Sequence, residues 1–442
     1  MEENLIIGLV GLVALIGLIV IRLPIAYSMI VVGGIGVAVL NGPGILMSQL
    51  KDLAWAQFSV YDLSVVPMFI LMGNIATRVG LSADLFRAAN AWFGHMRGGV
   101  AMAAIAACAG FGSVCGSSLA TASTMGQVAL PELKKYQYSG ALATGTLAAG
   151  GVLGILIPPS IVLVIYAIIV EANIVTMFMA AFLPGMLAVL FFLLTIAIYV
   201  RIFPNSGPRG SSVSREERVS ATLAMIPVII IFGLVIGGIY LGFFNPTPAA
   251  AIGVFLVIVY GIIRKTLPFS GLRIALMDTA KTTGMIYLIL LGAELLKIFM
   301  SRGGVPQAAA QMMLDSGLPP FTILALLLVA LILLGCLMDS LSMILLAIPF
   351  FWPVISEMDF GLGPEELKIW FGILALIVVE LGLITPPVGM NVFIISAMDK
   401  ETPMSETFKG VMPFFMAEVV RVVLLISFPV ITLWLPRFFG NL

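Results

Sequence analysis

The chain carries one unusual module twice, each time embedded in apolar sequence. In the first half a polar stretch, Gly116-Ser-Ser-Leu-Ala-Thr-Ala-Ser-Thr124, is followed by Leu130-Pro131 and then by Gly154-Ile-Leu-Ile-Pro158-Pro159-Ser160. In the second half Met338-Asp-Ser-Leu-Ser342 is followed by Ile348-Pro349 and then by Gly382-Leu-Ile-Thr-Pro386-Pro387. Placing Leu130-Pro131 on Ile348-Pro349 sets Thr121 against Asp339 and Thr124 against Ser342. Packing alone gives no reason for both interruptions to recur in the same order. Paired Gly/Pro-broken hydrophobic segments at corresponding places in two halves instead mark the binding region of a carrier built from repeats.

Composition fixes the solvent. The 442 residues are 61% hydrophobic and 10% charged, with a mean hydropathy of +1.17, which a water-exposed surface does not permit. Runs such as Leu5 to Ile21, Ile174 to Val200, Leu223 to Leu241, Ala249 to Ile263 and Phe414 to Trp434 have or approach the length that crosses roughly 30 Å of hydrocarbon. The expected fold class is therefore an all-α polytopic membrane protein in contact with membrane lipid. A formal net charge of zero gives no reason to expect a nucleic-acid partner. Cys108, Cys115 and Cys336 lie in apolar segments without metal-ligand spacing and are expected to be small buried side chains.

Charge placement sets the expected topology. Arg22 follows the first apolar run, so the positive-inside rule puts the N-terminus on the periplasmic side. In the same scheme Arg97, Lys134, Lys135, Arg201, Arg209, Arg215, Arg218, Arg264, Lys265, Arg273 and Lys400 are cytoplasmic, and Lys51, Arg302 and Lys368 are external. Residues 201–220 form the polar linker between a first unit, 1–219, and a second, 220–442. Five crossings in each unit would insert the second upside down, giving two inverted-topology repeats.

Residues 99–133 are too long for one helix and are bracketed by positive charge, so they are expected to form a re-entrant helical hairpin entering from the cytoplasm. Residues 320–355 should form its counterpart, entering from outside. A Pro-Pro-broken helix follows each hairpin, at about 140–170 and 367–397. Irregular backbone at membrane depth persists only where protein or a water-filled cavity surrounds it. Free helix N-termini there suit an anion, whereas hydroxyls and unwound carbonyls suit a hard cation such as Na⁺. Ser117, Ser118, Thr121, Thr124, Ser340, Ser342, Thr385 and Asn391 supply those groups. Asp339 is the carboxylate placed at a hairpin tip, and it needs either a cation or backbone N–H partners.

These motifs carry a family resemblance. Gly116-Ser-Ser-x-Ala-Thr-Ala-x-Thr followed by Leu-Pro-Glu, Leu-Gly-Ile-Leu-Ile-Pro-Pro-Ser at 153–160, Met-Asp-x-x-Ser at 338–342 and Leu-Ile-Thr-Pro-Pro-Val-Gly at 383–389 closely resemble the large membrane subunit of tripartite ATP-independent periplasmic (TRAP) transporters. One departure is visible. Asn245-Pro-Thr-Pro-Ala-Ala-Ala251 resembles the family's Thr-Pro-Thr-Glu-Ala-Ala, with Pro248 in place of the acidic residue.

The resemblance implies a Na⁺-driven secondary importer of an organic acid in the inner membrane of a bacterium or archaeon. A periplasmic substrate-binding protein delivers the substrate, a small four-helix membrane subunit completes the complex, and transport follows an elevator mechanism. By motif, one sodium site involves Ser117 and Ser118 with the break from Gly154 to Pro158. The other involves Asp339 and Ser340 with Thr385, Pro386 and Gly389. The substrate is expected near Thr121, Thr124, Ser342 and Asn391. The alternative is a stand-alone Na⁺/carboxylate permease without a binding protein. An intramembrane hydrolase needs a nucleophile with a general base, and His95, the only histidine, falls outside both hairpins, so no enzymatic activity is expected.

Overall fold

A computed structural model describes residues 2–21 and 23–440. Arg22, which carries the expected N-terminal orientation, lies outside the described residues. Those residues form twenty α-helices and one short 3-10 helix, and the β-structure among them is an isolated bridge between Arg97 and Arg209. Seven helices are long and apolar enough to cross a membrane, and an eighth span results if α8 (Gly140–Leu156) and α9 (Ile161–Val170) count as one crossing bent by 46°. The chain is an all-helical, multi-pass membrane protein.

The helices fall into two packed groups. In the first, α1 (Glu2–Val20), α2 (Ile25–Asn41), α3 (Pro43–Phe58) and α4 (Val65–Val79) pack with α11 (Arg215–Tyr240), α12 (Pro246–Ile263) and the 35-residue α13 (Phe269–Gly303). Only 11% of the apolar window of α1 is buried inside the chain. Its Leu9, Val10, Val13 and Ile16 side chains face outward, as lipid permits and water does not.

The second group surrounds the two broken modules. Helices α6 (Gly99–Cys115) and α7 (Ser118–Lys135) form one hairpin, joined by Gly116 and Ser117. Helices α15 (Pro320–Gly335) and α16 (Ser340–Ser356) form the other. The broken helices are α8 with α9, and α17 (Pro364–Gly382) with α18 (Met390–Met398), each interrupted at a cis Pro-Pro bond, Pro158-Pro159 and Pro386-Pro387. Helices α10 (Ile174–Ile202) and α19 (Met404–Ser427) pack along them, and α5 (Leu81–Phe93) lies against α6 and α11. The remaining helices are α14 (Val305–Asp315) and α20 (Val430–Phe438).

Two expectations are corrected here. The apolar run from Phe414 to Trp434 is not one helix: it is split at Phe428 and Pro429, because proline removes an N–H and clashes with the preceding turn. The non-helical part of the linker is shorter than 201–220. Helix α10 runs to Ile202 and α11 begins at Arg215, its N-terminus capped by the Ser214 hydroxyl accepting from Glu217 N–H. This linker is also docked rather than free. Gly207 C=O accepts from Gly98 N–H (3.0 Å) and Ser206 C=O from Ser139 N–H (3.0 Å), which ties it to the start of the first hairpin and to the N-cap of α8.

The three cysteines are free and buried. Pro248 occupies the first turn of α12, after Asn245 at the N-cap and Pro246 at the first helical position. Proline is tolerated there because the N–H groups of a first turn have no partner within the helix.

Candidate functional site

Each hairpin tip ends in a helix whose first N–H groups are capped by a side chain. Ser117 is extended at the N-cap of α7, and its hydroxyl accepts from Ala120 N–H at 3.4 Å. Asp339 does the same for α16, accepting from Ser342 N–H (3.2 Å) and from the Ser342 hydroxyl (2.6 Å). The two caps lie 222 residues apart (339 − 117), a spacing that sets Ser118 level with Ser340 and Pro131 level with Pro353, whereas the Leu-Pro and Ile-Pro motifs are 218 apart.

Close backbone contacts hold each tip against a broken helix. At Gly154 a Cβ would meet Thr121 Oγ1 at 2.4 Å and Ser117 C=O at 2.7 Å, so glycine is needed for the first tip to reach the first break. At Gly382 a Cβ would meet the Gly335 carbonyl carbon at 2.5 Å, the corresponding approach in the second module. The two breaks differ in burial. Residues 151–160 are buried throughout, whereas Pro386, Pro387 and Val388 are exposed.

A cavity of about 390 Å³ opens between the tips. Gly116, Ser117, Ser118, Asp339 and Ser340 line one side, with Ile161 and Val162 at the start of α9 and Met390 at the start of α18. Ile70 and Asn74 of α4 and Thr282, Met285 and Ile286 of α13 form the opposite wall, where Asn74 donates to Thr279 Oγ1 at 2.9 Å. Four helix N-termini, those of α7, α9, α16 and α18, thus meet the cavity. Each brings the partial positive charge of a helix start, although Ser117, Ser160 and Asp339 already cap one N–H group each in α7, α9 and α16. The lining contains one carboxylate, Asp339, and no Lys, Arg or His.

Of the residues singled out in the sequence, Ser117, Ser118, Asp339 and Ser340 line the cavity. Thr121, Thr124, Ser342 and Asn391 are not among its lining residues. Ser342 is turned to Asp339. Thr121 and Asn391 are fully buried beside the first break, where Asn391 Nδ2 donates to Ala148 C=O (3.3 Å). Thr121 Oγ1 and Asn391 Oδ1 have no hydrogen-bond partner there, although a buried polar atom ordinarily has one. Thr124 lies further along α7 and is partly exposed. Thr385 bonds back to Leu381 C=O at 2.6 Å, and Gly389 is left-handed (φ +58°) at the start of α18.

Sequence reasoning missed three charged groups buried within helices, besides Asp399, buried just after α18. Glu380 of α17 accepts hydrogen bonds from both Ser118 and Ser340. Glu418 and Arg421 of α19 pair with each other in the interior. The available signal was plain. Each is an ionisable residue in a stretch long enough to span the membrane, and such residues are rare enough to be examined first.

The DctM component of the tripartite ATP-independent periplasmic transporters matches this chain over residues 12–431. The chain belongs to that family. This TRAP large permease subunit is similar to the C4-dicarboxylate TRAP transporter large permease protein DctM of Pseudomonas aeruginosa, with 33% identity covering 86% of this chain and 87% of the relative. It is also similar to the sialic acid TRAP transporter large permease protein SiaM of Vibrio cholerae (30% identity; 96% and 97% covered). A third relative is the ectoine/5-hydroxyectoine TRAP transporter large permease protein UehC of Ruegeria pomeroyi (32%; 95% and 96%). The YdaH transporter of Alcanivorax borkumensis shares the fold, with a TM-score of 0.61 over 87% of this chain and 88% of that one at 15% sequence identity.

Proposed function

We propose that this large permease subunit imports an organic acid by Na⁺-driven secondary transport in the inner membrane of a bacterium or archaeon. A periplasmic binding protein delivers the substrate, and a small four-helix membrane subunit accompanies the chain. The reading rests chiefly on the cavity between the hairpin tips, which meets four helix N-termini and carries no basic side chain. Those N-termini are suited to a carboxylate. Relatives named for C4-dicarboxylates and sialic acid favour that substrate class.

Asp339 supports coupling to a cation. An anionic substrate beside this carboxylate meets like charge unless a cation lies between them. The proposed sodium sites are Ser117 and Ser118 with Gly154 to Pro158, and Asp339 and Ser340 with Thr385, Pro386 and Gly389. The orphaned oxygens of Thr121 and Asn391, next to Ser117 C=O, suit the same first region. Units 1–219 and 220–442 act as inverted repeats with a periplasmic N-terminus. The hairpins and broken helices move as an elevator against α4 and α13.

Uptake into proteoliposomes tests the reading. The complete complex and its binding protein are reconstituted with labelled C4-dicarboxylates, sugar acids and sialic acid, the acid first being selected by thermal shift of the binding protein. Ligand at 100 times Kd stabilises that protein by about 2.7 kcal/mol. Uptake should require both the binding protein and an inward Na⁺ gradient. Full uptake by the membrane subunits alone, unchanged when K⁺ replaces Na⁺, would refute it.

A further inference from the structure

Glu380 is the buried ionisable group to which the proposed function gives no task. It lies two residues before the end of α17 with 0% of its surface exposed. Its carboxylate is divided between the hairpins: Oε2 accepts from the Ser118 hydroxyl and Oε1 from the Ser340 hydroxyl (2.5 Å). Ser118 is the first residue of α7 and Ser340 the first of α16, each directly after its N-cap. One side chain therefore holds both tips by equivalent residues of the two modules.

Among the described residues no Lys, Arg or His forms an ion pair with Glu380, whereas the neighbouring buried pair, Glu418 with Arg421, is internally compensated. The two serine hydroxyls are therefore the partners on which this buried group depends.

We propose that Glu380 is a clasp that couples the two hairpin tips, relaying occupancy of one tip to the other through the two serines it holds. A cation at the Ser118 oxygen polarises that hydroxyl and strengthens its donation to Glu380. This fixes the carboxylate in the position that orients Ser340, so the second cation meets a tip already ordered. The inference rests on the sodium-coupled reading above. Glu380 is a positioning residue in this scheme, acting through the two serines.

The purified complex of this chain with its small membrane subunit is melted across a NaCl titration, with choline chloride holding ionic strength constant. Na⁺ that binds the folded state raises the midpoint. In the wild type the rise should be cooperative. Glu380→Gln keeps the shape but replaces one of the two acceptor oxygens with a donor, and should raise the half-saturating Na⁺ about tenfold, ~1.4 kcal/mol, with the Hill slope falling towards one. Glu380→Asp, which keeps two acceptor oxygens on a shorter arm, should recover part of both.

If Glu380→Gln does not assemble, Ser118→Ala and Ser340→Ala carry the test. Coupling predicts that the double variant shifts half-saturation by clearly less than the product of the two single shifts, and a product relation overturns it. A wild-type Na⁺ curve in a well-folded Glu380→Gln overturns the clasp alone. A variant that keeps that curve but loses the wild type's pH response would make Glu380 a proton carrier and also overturn it. A wild-type complex indifferent to Na⁺ overturns the sodium reading itself.

Discussion

Arg421 donates to Glu418, three residues earlier on α19, and neither side chain is accessible to solvent. Arg421 also donates from Nη1 to the Pro184 carbonyl of α10 at 2.8 Å. Pro184 sits inside α10, and its carbonyl oxygen has a second lone pair with which to accept from a side chain. Arg421→Met leaves Glu418 as an uncompensated buried charge and should lower stability by about 3–5 kcal/mol. Combining it with Glu418→Leu should recover most of the loss. Thermal melting of the detergent-solubilised complex measures both.

Gly382→Ala places a methyl group into the Gly335 backbone, which has no flexible end to move aside. Overpacking of this kind costs about 1–3 kcal/mol. The variant should melt lower and lose transport, whereas Gly284→Ala, at a position with open space around it, should do neither. Paired melting and uptake assays compare them.

Asp339→Asn separates the two roles of this side chain. The amide oxygen still caps α16, because asparagine is as good an N-cap as aspartate, so the helix should persist. If the charge serves a cation, half-saturating Na⁺ for uptake should rise while assembly is preserved. Loss of one coupled Na⁺ should also flatten the voltage dependence, one elementary charge through 100 mV being worth about 2.3 kcal/mol. Uptake at several clamped potentials reads both quantities.

Asp399 follows α18 and accepts from Lys134 at the end of the first hairpin (2.7 Å) and from Thr402 Oγ1 (2.7 Å). Burial acts to raise its carboxyl, but hydrogen bonds from Lys134, Thr402 and Glu401 N–H outweigh it and hold the group below the usual aspartate range. Because the folded value is the lower one, this contact stabilises fully above the unfolded value of about 3.9 and weakens as pH falls through the folded value. The melting difference between wild type and Asp399→Asn should therefore be constant between about pH 6 and 8 and shrink below about pH 4. Melting curves across that range test the sign.

Topology has a direct readout. In a chain stripped of its three cysteines, Ser212→Cys should label only from the cytoplasm and Glu357→Cys only from the periplasm, since both positions are exposed and differ in flanking charge. Labelling of both from one side would remove the inverted arrangement.

The sequence made the helices and their breaks legible because both are local. Apolar length, the double prolines and the Ser117 and Asp339 caps each act within a few residues. The partner of a cap is not local. Ser118 and Ser340 were recognisable as hydroxyls at hairpin tips, but their shared acceptor is 262 residues from one and 40 from the other. Glu380 sits in the unbroken apolar run Ile373 to Gly382, where no Gly/Pro interruption marks it. Both Pro349 and Pro353 lie inside α16, so the motifs and the caps give spacings that differ by four residues, about one helical turn.

The unequal burial of the two Pro-Pro breaks gives the molecule a direction. The first break is enclosed by the chain, whereas Pro386 to Val388 lie at its surface. Under the inverted arrangement proposed above, trading those two surroundings would yield the same protein facing the opposite compartment, with no new fold to invent. Vectorial movement would then be a property of which break is uncovered at a given moment.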